Sequence, residues 1–470
     1  MIPLSLAKIA DITGGRVRPA EVADAVIVTA DVVTDSRSAA PGSLYVARIG
    51  EHADGHRFVG SAREHGAVAA LTSRLVDDAL PQVVVDDVQA AFAAITRVVV
   101  DAVPGLTVIG ITGSSGKTST KDLLGQVLSG LGPTVAPQGS YNSEVGVPLT
   151  VCRITSDTAF LVVELGARGV GHIAYLTAMA PPTIGVVLNV GTAHLGEFGS
   201  REAIARAKSE LPAALPSRGL AVLNADDPVV AAMAATTAAR VVLVGRSPDA
   251  DIRATNVTVD DHGRARFTLT TPKGEVDVEL ALVGEHHVGN ALAAAAVALE
   301  CGLTLPDVAV ALGAAAPVSR WRMEVTERAD GVTIINDAYN ANPDSMAAAL
   351  ASLRRIAGSR RTLAVLGAML ELGEESQDSH AQVGALAVAH RVDELVVVGD
   401  LAAPLARAAD DSAAAGDSRT AVTWVPDAQA AEQVLAEMIH PGDVVLFKSS
   451  NAVGLRWLGD RVAGIEEDTT

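Results

Sequence analysis

With 470 residues the chain is too long for one hydrophobic core and points to about three domains. A formal charge of −19 and a pI near 5.0 exclude a nucleic-acid or anionic-membrane surface, so any anionic ligand must be met by local cationic sites. Hydrophobic residues make up 49% and aromatics 3%, so Ala, Val and Leu must build the cores, while Cys152 and Cys301 lack metal or redox spacing, as expected of a reducing compartment.

The N-terminus, MIPLSLAKIADITGG, has no basic leader and carries Lys8 and Asp11 within its apolar part. It reads as an amphipathic helix, not an export signal, and a cytoplasmic protein is expected. Residues 1–103 then mix strands (Ile27 to Val33, Leu44 to Ala47, Val83 to Val85) with helices near Arg57 to His65 and Gln89 to Val100. Their informative pieces are TDSR, Thr34 to Arg37, and the glycine-bearing loop GEHADGHRF with Asp54 and His56. Ser36 and Arg37 at a strand end could grip a polar anionic group, or the loop is simply solvated.

Residues 104–317 hold the stretch around which the chain is organised, Thr107 to Thr120, TVIGITGSSGKTST. Leu106 to Ile111 suits a buried parallel strand, and Leu123, Leu124, Val127, Leu128 and Leu131 recur at helical spacing until Gly132-Pro133. Between them Gly113, Ser114, Ser115 and Gly116 let backbone N–H groups turn onto an anion at the positive helix end. Lys117 adds a point charge, and Thr118, followed by Ser119, can ligate Mg²⁺. This is the logic of a nucleotide triphosphate site. The strict P-loop pattern wants a glycine where Ile111 stands, and a Gly-Ser turn with a surface lysine is the bland alternative.

The rest of this segment alternates strand and helix. Phe160 to Val163 ends at Glu164, where α/β phosphate-handling proteins present an acid to the metal. Ile184 to Val190 runs into NVGTAHLGEFGS with His194; Ser200 precedes a helix carrying Lys208; Leu220 to Leu223 leads into NADDP. Taken singly, Glu164 could cap a helix and His194 could be a structural histidine. With Thr118 they make a metal shell at the carboxyl ends of the strands. Pro181-Pro182 breaks the uncharged run Ile173 to Ala193, so no membrane span is expected. Asp251 to Leu282 switches to alternating antiparallel strands, and EHHVGN opens an alanine-rich helix in which Asn290 contacts a base edge or caps the turn.

Residues 318–470 form a third βα series, with strands at Val332 to Ile335, Thr362 to Leu366, Glu394 to Val398, Ala421 to Trp424 and Val444 to Phe447. It looks Rossmann-like, yet no GxGxxG follows its first strand, which argues against a dinucleotide. Its loops carry NDAYNANPDSM, LGAMLELG and FKSSN, polar groups that suit a zwitterionic peptide or a phosphate. The fold class is therefore α/β in three domains: a small mixed α/β unit, a central P-loop-type, mostly parallel sheet with appended antiparallel strands, and a Rossmann-like domain.

GSSGKTST, Glu164, NVGTAHLGEFGS, ARAKSEL, LNADDP, GEHHVGN, RWRME and NDAYNANPDSM, in this order, resemble the Mur ligase family. NDAYNANPDSM, LGAMLELG and SYNSEVGVP resemble its branch that adds D-alanyl-D-alanine to UDP-N-acetylmuramoyl-tripeptide. The resemblance implies that ATP phosphorylates the peptide carboxylate and that the dipeptide amine attacks the acyl phosphate, building a peptidoglycan precursor. Carboxylate and triphosphate repel each other, so cations must screen both. Two Mg²⁺ would be held through Thr118, Glu164 and His194, with Lys117 and Arg322 screening the phosphoryl group. Asn290 and Asp337 resemble adenine and ribose contacts, Asp35, Ser36, Arg37 and Asn142 a UDP-sugar grip, and Asn340, Asn342, Lys448 and Ser449 dipeptide-ordering or domain-closing groups.

In this family the lysine matching Lys208 is carbamylated. An ammonium beside dications is disfavoured, since one like charge at about 4 Å costs about 4 kcal/mol at an effective dielectric of about 20. The resemblance thus implies a carbamylated Lys208, against the alternative of a surface helix lysine. A monomer is expected whose terminal domain closes on ATP. Other readings are a related ligase adding a different amino acid or extending a folate with glutamate, and a P-loop switch protein.

Overall fold

The computed structural model describes residues 1–50, 53–192, 195–416 and 419–465. Strands gather into three main sheets that follow one another along the chain. Among the described residues no helix is long and apolar enough to cross a membrane.

The first sheet runs in the order Arg16–Arg18, Gln82–Val84, Ala69–Thr72, Leu44–Val46, Val32–Val33, parallel except for its first, charged edge strand. Ala69–Thr72 and Arg16–Arg18 escape the sequence reading because alanine has little strand preference and the edge strand carries charge at both ends. The helix Val88–Asp101 closes this unit, with the Asp87 carboxylate accepting from the Gln89 and Ala90 N–H groups.

The central sheet orders its strands Thr134–Val135, Phe160–Glu164, Thr107–Thr112, Ile184–Val187, Leu220–Asn224, Arg240–Gly245, Ile252–Val259, Arg264–Thr271 and Gly274–Val283. The first seven are parallel and the last two antiparallel. Thr107–Thr112 lies between the two directions in which the chain lays down strands, and at such a switch point open sheets bind ligands. The strand expected to reach Val190 ends at Val187, because Leu188 to Val190 leave the sheet to support the neighbouring loop. The helix after the cradle, Lys117–Ser129, packs against His287–Glu300, whose buried Ala291, Ala294, Ala295 and Ala298 permit a close approach.

The third sheet runs Glu324–Glu327, Thr333–Asn336, Val444–Lys448, Thr362–Gly367, Glu394–Val398, Ala421–Val425 and is parallel but for the first strand. His380, in the helix Ser376–Ala389, is fully buried: its Nε2 accepts the Met369 N–H at 2.9 Å, and Nδ1 faces Ser376 O at 2.6 Å. It therefore shapes the LGAMLELG loop.

The linker between the second and third sheets is tied on both sides. Ser319 N–H donates to Asp122 at 3.1 Å and Ser319 Oγ accepts from Gly139 N–H at 3.1 Å, which fixes it to the central domain. Two residues on, Trp321 Nε1 donates to Asp460 at 2.9 Å on the last helix, Leu455–Ala463. The chain passes between domains across Arg320.

Candidate active site

The loop Gly113 to Gly116 turns out of the strand Thr107–Thr112 into the helix Lys117–Ser129. Gly116 has φ +82°, and a Cβ there would stand 2.6 Å from Asn290 Oδ1, so both conformation and space demand glycine. Asn189 braces the turn: its Oδ1 accepts the Ser115 N–H at 2.9 Å and its Nδ2 donates to Ser115 Oγ at 3.1 Å. Ser114 Oγ accepts from Gly191 N–H at 2.9 Å. Ile111 is a buried strand residue, so the loop starts later than the strict pattern would have it.

Lys117 folds back, Nζ donating to Gly113 O at 2.7 Å. Burial lowers its pKa, Glu164 opposes the shift and Arg322 adds to it. Lys208, on the helix Arg201–Ala213, is 6% exposed and has no hydrogen-bond or ion-pair partner among the described residues. Burial, with Lys117 second, pushes its pKa well below the ordinary lysine range, so its amine is poised to be neutral.

Glu164 ends the strand Phe160–Glu164 beside Ile111. It is 2% exposed; Oε2 accepts from Ser140 Oγ at 3.0 Å and Oε1 has no partner. A buried carboxylate oxygen without a partner is costly unless a cation completes it. The Thr118 hydroxyl, which lines the cleft, accepts from Arg322 Nη2 at 3.1 Å. Among the described residues no three His, Cys, Asp or Glu side chains gather as a ready-made metal site. An all-oxygen pair of Thr118 and Glu164 suits Mg²⁺, which keeps waters and takes phosphate oxygens as its remaining ligands. His194 lies outside the described residues. Glu164→Gln is expected to raise the Mg²⁺ needed for half-maximal ADP release by about tenfold or more, as a metal titration would show.

Arg322 reaches Thr118 across the domain boundary. Its neighbours Trp321 and Met323 have φ of +59° and +53°, conformations that side chains bigger than glycine hold only under constraint. The constraints are visible: Trp321 N–H donates to Glu324 at 2.9 Å, Met323 N–H to Asp337 at 3.1 Å, and the Arg322 guanidinium lies 4.2 Å from the Tyr339 ring centre.

The phosphate turn, Lys117, Thr118, Ser140, Lys208 and Arg322 line one cleft of about 910 Å³ that also takes in Ser119, Asn142, His286, His287, Asn290, Asp337, Asn340, Asn342 and Lys448; Glu164, bonded to Ser140, does not itself line it. Burial of His287 pushes its pKa well below the usual imidazole range. Lys448 is 1% exposed and committed to the wall, with Nζ 2.6 Å from Asp337 and 3.0 Å from Asn340 O. Asn342 caps the helix Pro343–Ala357 in a reciprocal pairing with Ser345, and Asn340 Oδ1 accepts from Ala341 N–H. Their side chains are therefore partly engaged in framework bonds. Ser449 is fully buried, its hydroxyl donating to Ser450 O, and does not line the cleft.

Asp35, Ser36 and Arg37 do not line it either. Arg37 pairs with its neighbour Asp35 at 2.6 Å, which holds that carboxyl below its usual range, and Ser36 is buried. Asp54 and His56 likewise pair with each other at 2.7 Å. From residues 1–103 it is Gln89 that arrives, Nε2 donating to Glu144 O at 2.6 Å. Ser140, Asn189 and Tyr339 were missed as individual residues, although all three lie inside motifs that stood out in the sequence.

Comparison with known proteins follows the same division. Residues 30–109 match the family model described as Mur ligase family, catalytic domain; residues 111–298 match the Mur ligase middle domain; residues 321–451 match the Mur ligase, glutamate ligase domain. A curated UDP-N-acetylmuramoyl-tripeptide–D-alanyl-D-alanine ligase of Mycobacterium bovis is 48% identical, covering 100% of this chain and 99% of the relative. Among solved structures, MurF from Acinetobacter baumannii superposes with a TM-score of 0.87 at 31% identity, over 98% of this chain and 99% of that one. MurF from Thermotoga maritima, solved in complex with ADP, gives 0.79 at 28% identity, over 93% and 98%.

Proposed function

This chain belongs to the Mur ligase family, and from that premise we infer that it is the ATP-dependent ligase joining D-alanyl-D-alanine to UDP-N-acetylmuramoyl-tripeptide. The observation that carries the reading is the cleft itself. A glycine-lined turn with Lys117 and Thr118 lines it, the third domain lays Arg322 over Thr118, and the incompletely bonded Glu164 ends the neighbouring strand, bonded to the cleft residue Ser140.

We propose these roles. ATP is a substrate, its triphosphate received by Gly113 to Gly116 at the helix N-terminus and its base and ribose by Asn290 and Asp337. Thr118 and Glu164, with His194, would hold Mg²⁺, which when bound offsets the charge of the two reacting acids. Lys117 and Arg322 screen the phosphoryl group as a peptide carboxylate oxygen bonds to phosphorus and ADP leaves. The dipeptide nitrogen, as the free amine, then bonds to the acyl carbon, the C–O bond breaks and phosphate departs with that electron pair and the proton lost from nitrogen. The cleft residue Asn142 is assigned to the nucleotide-sugar half and Asn340 and Asn342 to the dipeptide side, while Asp35 to Arg37, outside the cleft, could meet only a part of the nucleotide sugar that extends beyond it.

Lys208 supplies a carbamate in this scheme. Its neutral amine adds to CO₂ and loses a proton, placing an anionic group beside Lys117 and the metal shell. The reading places the protein in the cytoplasm, where ATP and UDP-linked precursors meet, and takes it to work as a monomer.

The deciding assay is ADP release with the muramoyl tripeptide nucleotide, with and without D-Ala-D-Ala. Turnover should be fast only when both are present. Slow hydrolysis indifferent to either would identify a switch protein, and preference for another amine a different ligase.

A further inference from the structure

Asp344 stands in the first turn of the helix Pro343–Ala357, exposed at the cleft wall that the third domain contributes. It overhangs the phosphate turn: a Cβ placed on Gly191 would meet Asp344 Oδ2 at 2.3 Å and Ser114 Cβ at 3.4 Å. Asp344 has no hydrogen-bond or ion-pair partner among the described residues. The other carboxylates of the cleft are placed differently. Asp337 is neutralised by Lys448, and Glu144 stands on the opposite wall beside Gln89.

A bare carboxylate held over a triphosphate site is a repulsive arrangement, and it is tolerable only when a positive charge lies between the two. The reaction brings one at the right moment. The incoming dipeptide carries an ammonium that must sit next to the newly activated acyl carbon. We propose that Asp344 receives this ammonium and sets the dipeptide nitrogen against the acyl phosphate; the nitrogen gives one proton to water to free its lone pair, and the proton it loses on forming the amide leaves with the phosphate. The inference rests on the ligase reading above and gives the second substrate a specific partner from the third-domain side of the cleft.

The test separates the two half-reactions. With ATP and the muramoyl tripeptide nucleotide but no dipeptide, hydroxylamine traps the acyl phosphate as a hydroxamate, and this small nucleophile needs no carboxylate to hold it. Asp344→Asn should form hydroxamate at the rate of the unaltered enzyme, while kcat/KM for D-Ala-D-Ala falls about ten- to a hundredfold through KM. Asp344→Glu should recover part of that loss. An unchanged KM for the dipeptide would overturn the assignment and leave Asp344 as a helix-end charge. Hydroxamate and ligation falling together, with a higher Mg²⁺ requirement, would also overturn it and make Asp344 a metal ligand. No hydroxamate from the unaltered enzyme would remove the ligase reading, and this inference with it.

Discussion

Lys208→Ala is expected to lower ligation roughly a hundred- to a thousandfold, and added acetate or formate is expected to restore much of the loss. Lys208 is 6% exposed, has no partner among the described residues and faces Lys117, so a proton on its amine is strongly disfavoured. A neutral buried amine can take up CO₂; a permanently charged side chain cannot. Lys208→Arg discriminates between the roles, because a guanidinium keeps its charge and cannot be carbamylated. If the anionic product is what matters, the arginine variant is as slow as the alanine variant and does not respond to acids. If Lys208 acts as a cation, arginine preserves activity and acids do nothing for alanine.

The same residue leaves a mark on stability. The pKa of the unmodified amine is lowered by folding, so unfolding takes up a proton at this site below lysine's usual range. Stability should therefore rise with pH, and Lys208→Met should lose that slope. Melting temperatures from neutral to mildly alkaline pH would measure it.

Much of the architecture was legible because buried parallel strands leave a plain imprint. Phe160–Glu164, Glu394–Val398 and Val444–Lys448 are continuous apolar runs, and each ends at a polar residue or turn. The phosphate turn was legible because glycine, lysine and hydroxyl must appear in a set order there. What stayed hidden depends on contacts between distant segments. Nothing about Trp321 or Met323 announces a left-handed backbone, since the conformation is imposed by Asp460, Glu324 and Asp337. Lys448 looked free to meet a ligand until the fold set it against Asp337, and Arg37 finds its anion two residues away. A charge motif records which groups are present, not which of them the fold has already paired.

Gly196→Ala tests whether the domains must meet as they do here. Gly196 lies in LGEFG of the central domain and donates its N–H to Glu371 O at 3.0 Å, in LGAMLELG of the third. A Cβ at Gly196 would stand 2.5 Å from Gly373 N and 2.8 Å from Gly373 Cα, so the obstacle is backbone that no rotamer change can clear. The domains would have to stand further apart. Arg322 and Asp344 both reach the central domain from the third, and both would withdraw from the phosphate turn. Displacement of reacting groups by about 1 Å costs about a hundredfold in rate, and a loss of that order in kcat is expected. Thermal stability should hold, because the contact joins two loops and not a core. Small-angle scattering should show the unaltered chain compacting with ATP and the substrates while Gly196→Ala stays extended. Gly416→Ala, where a Cβ meets nothing within 4 Å, should behave as the unaltered enzyme. Full activity in Gly196→Ala would mean that catalysis does not pass through this approach of the two loops.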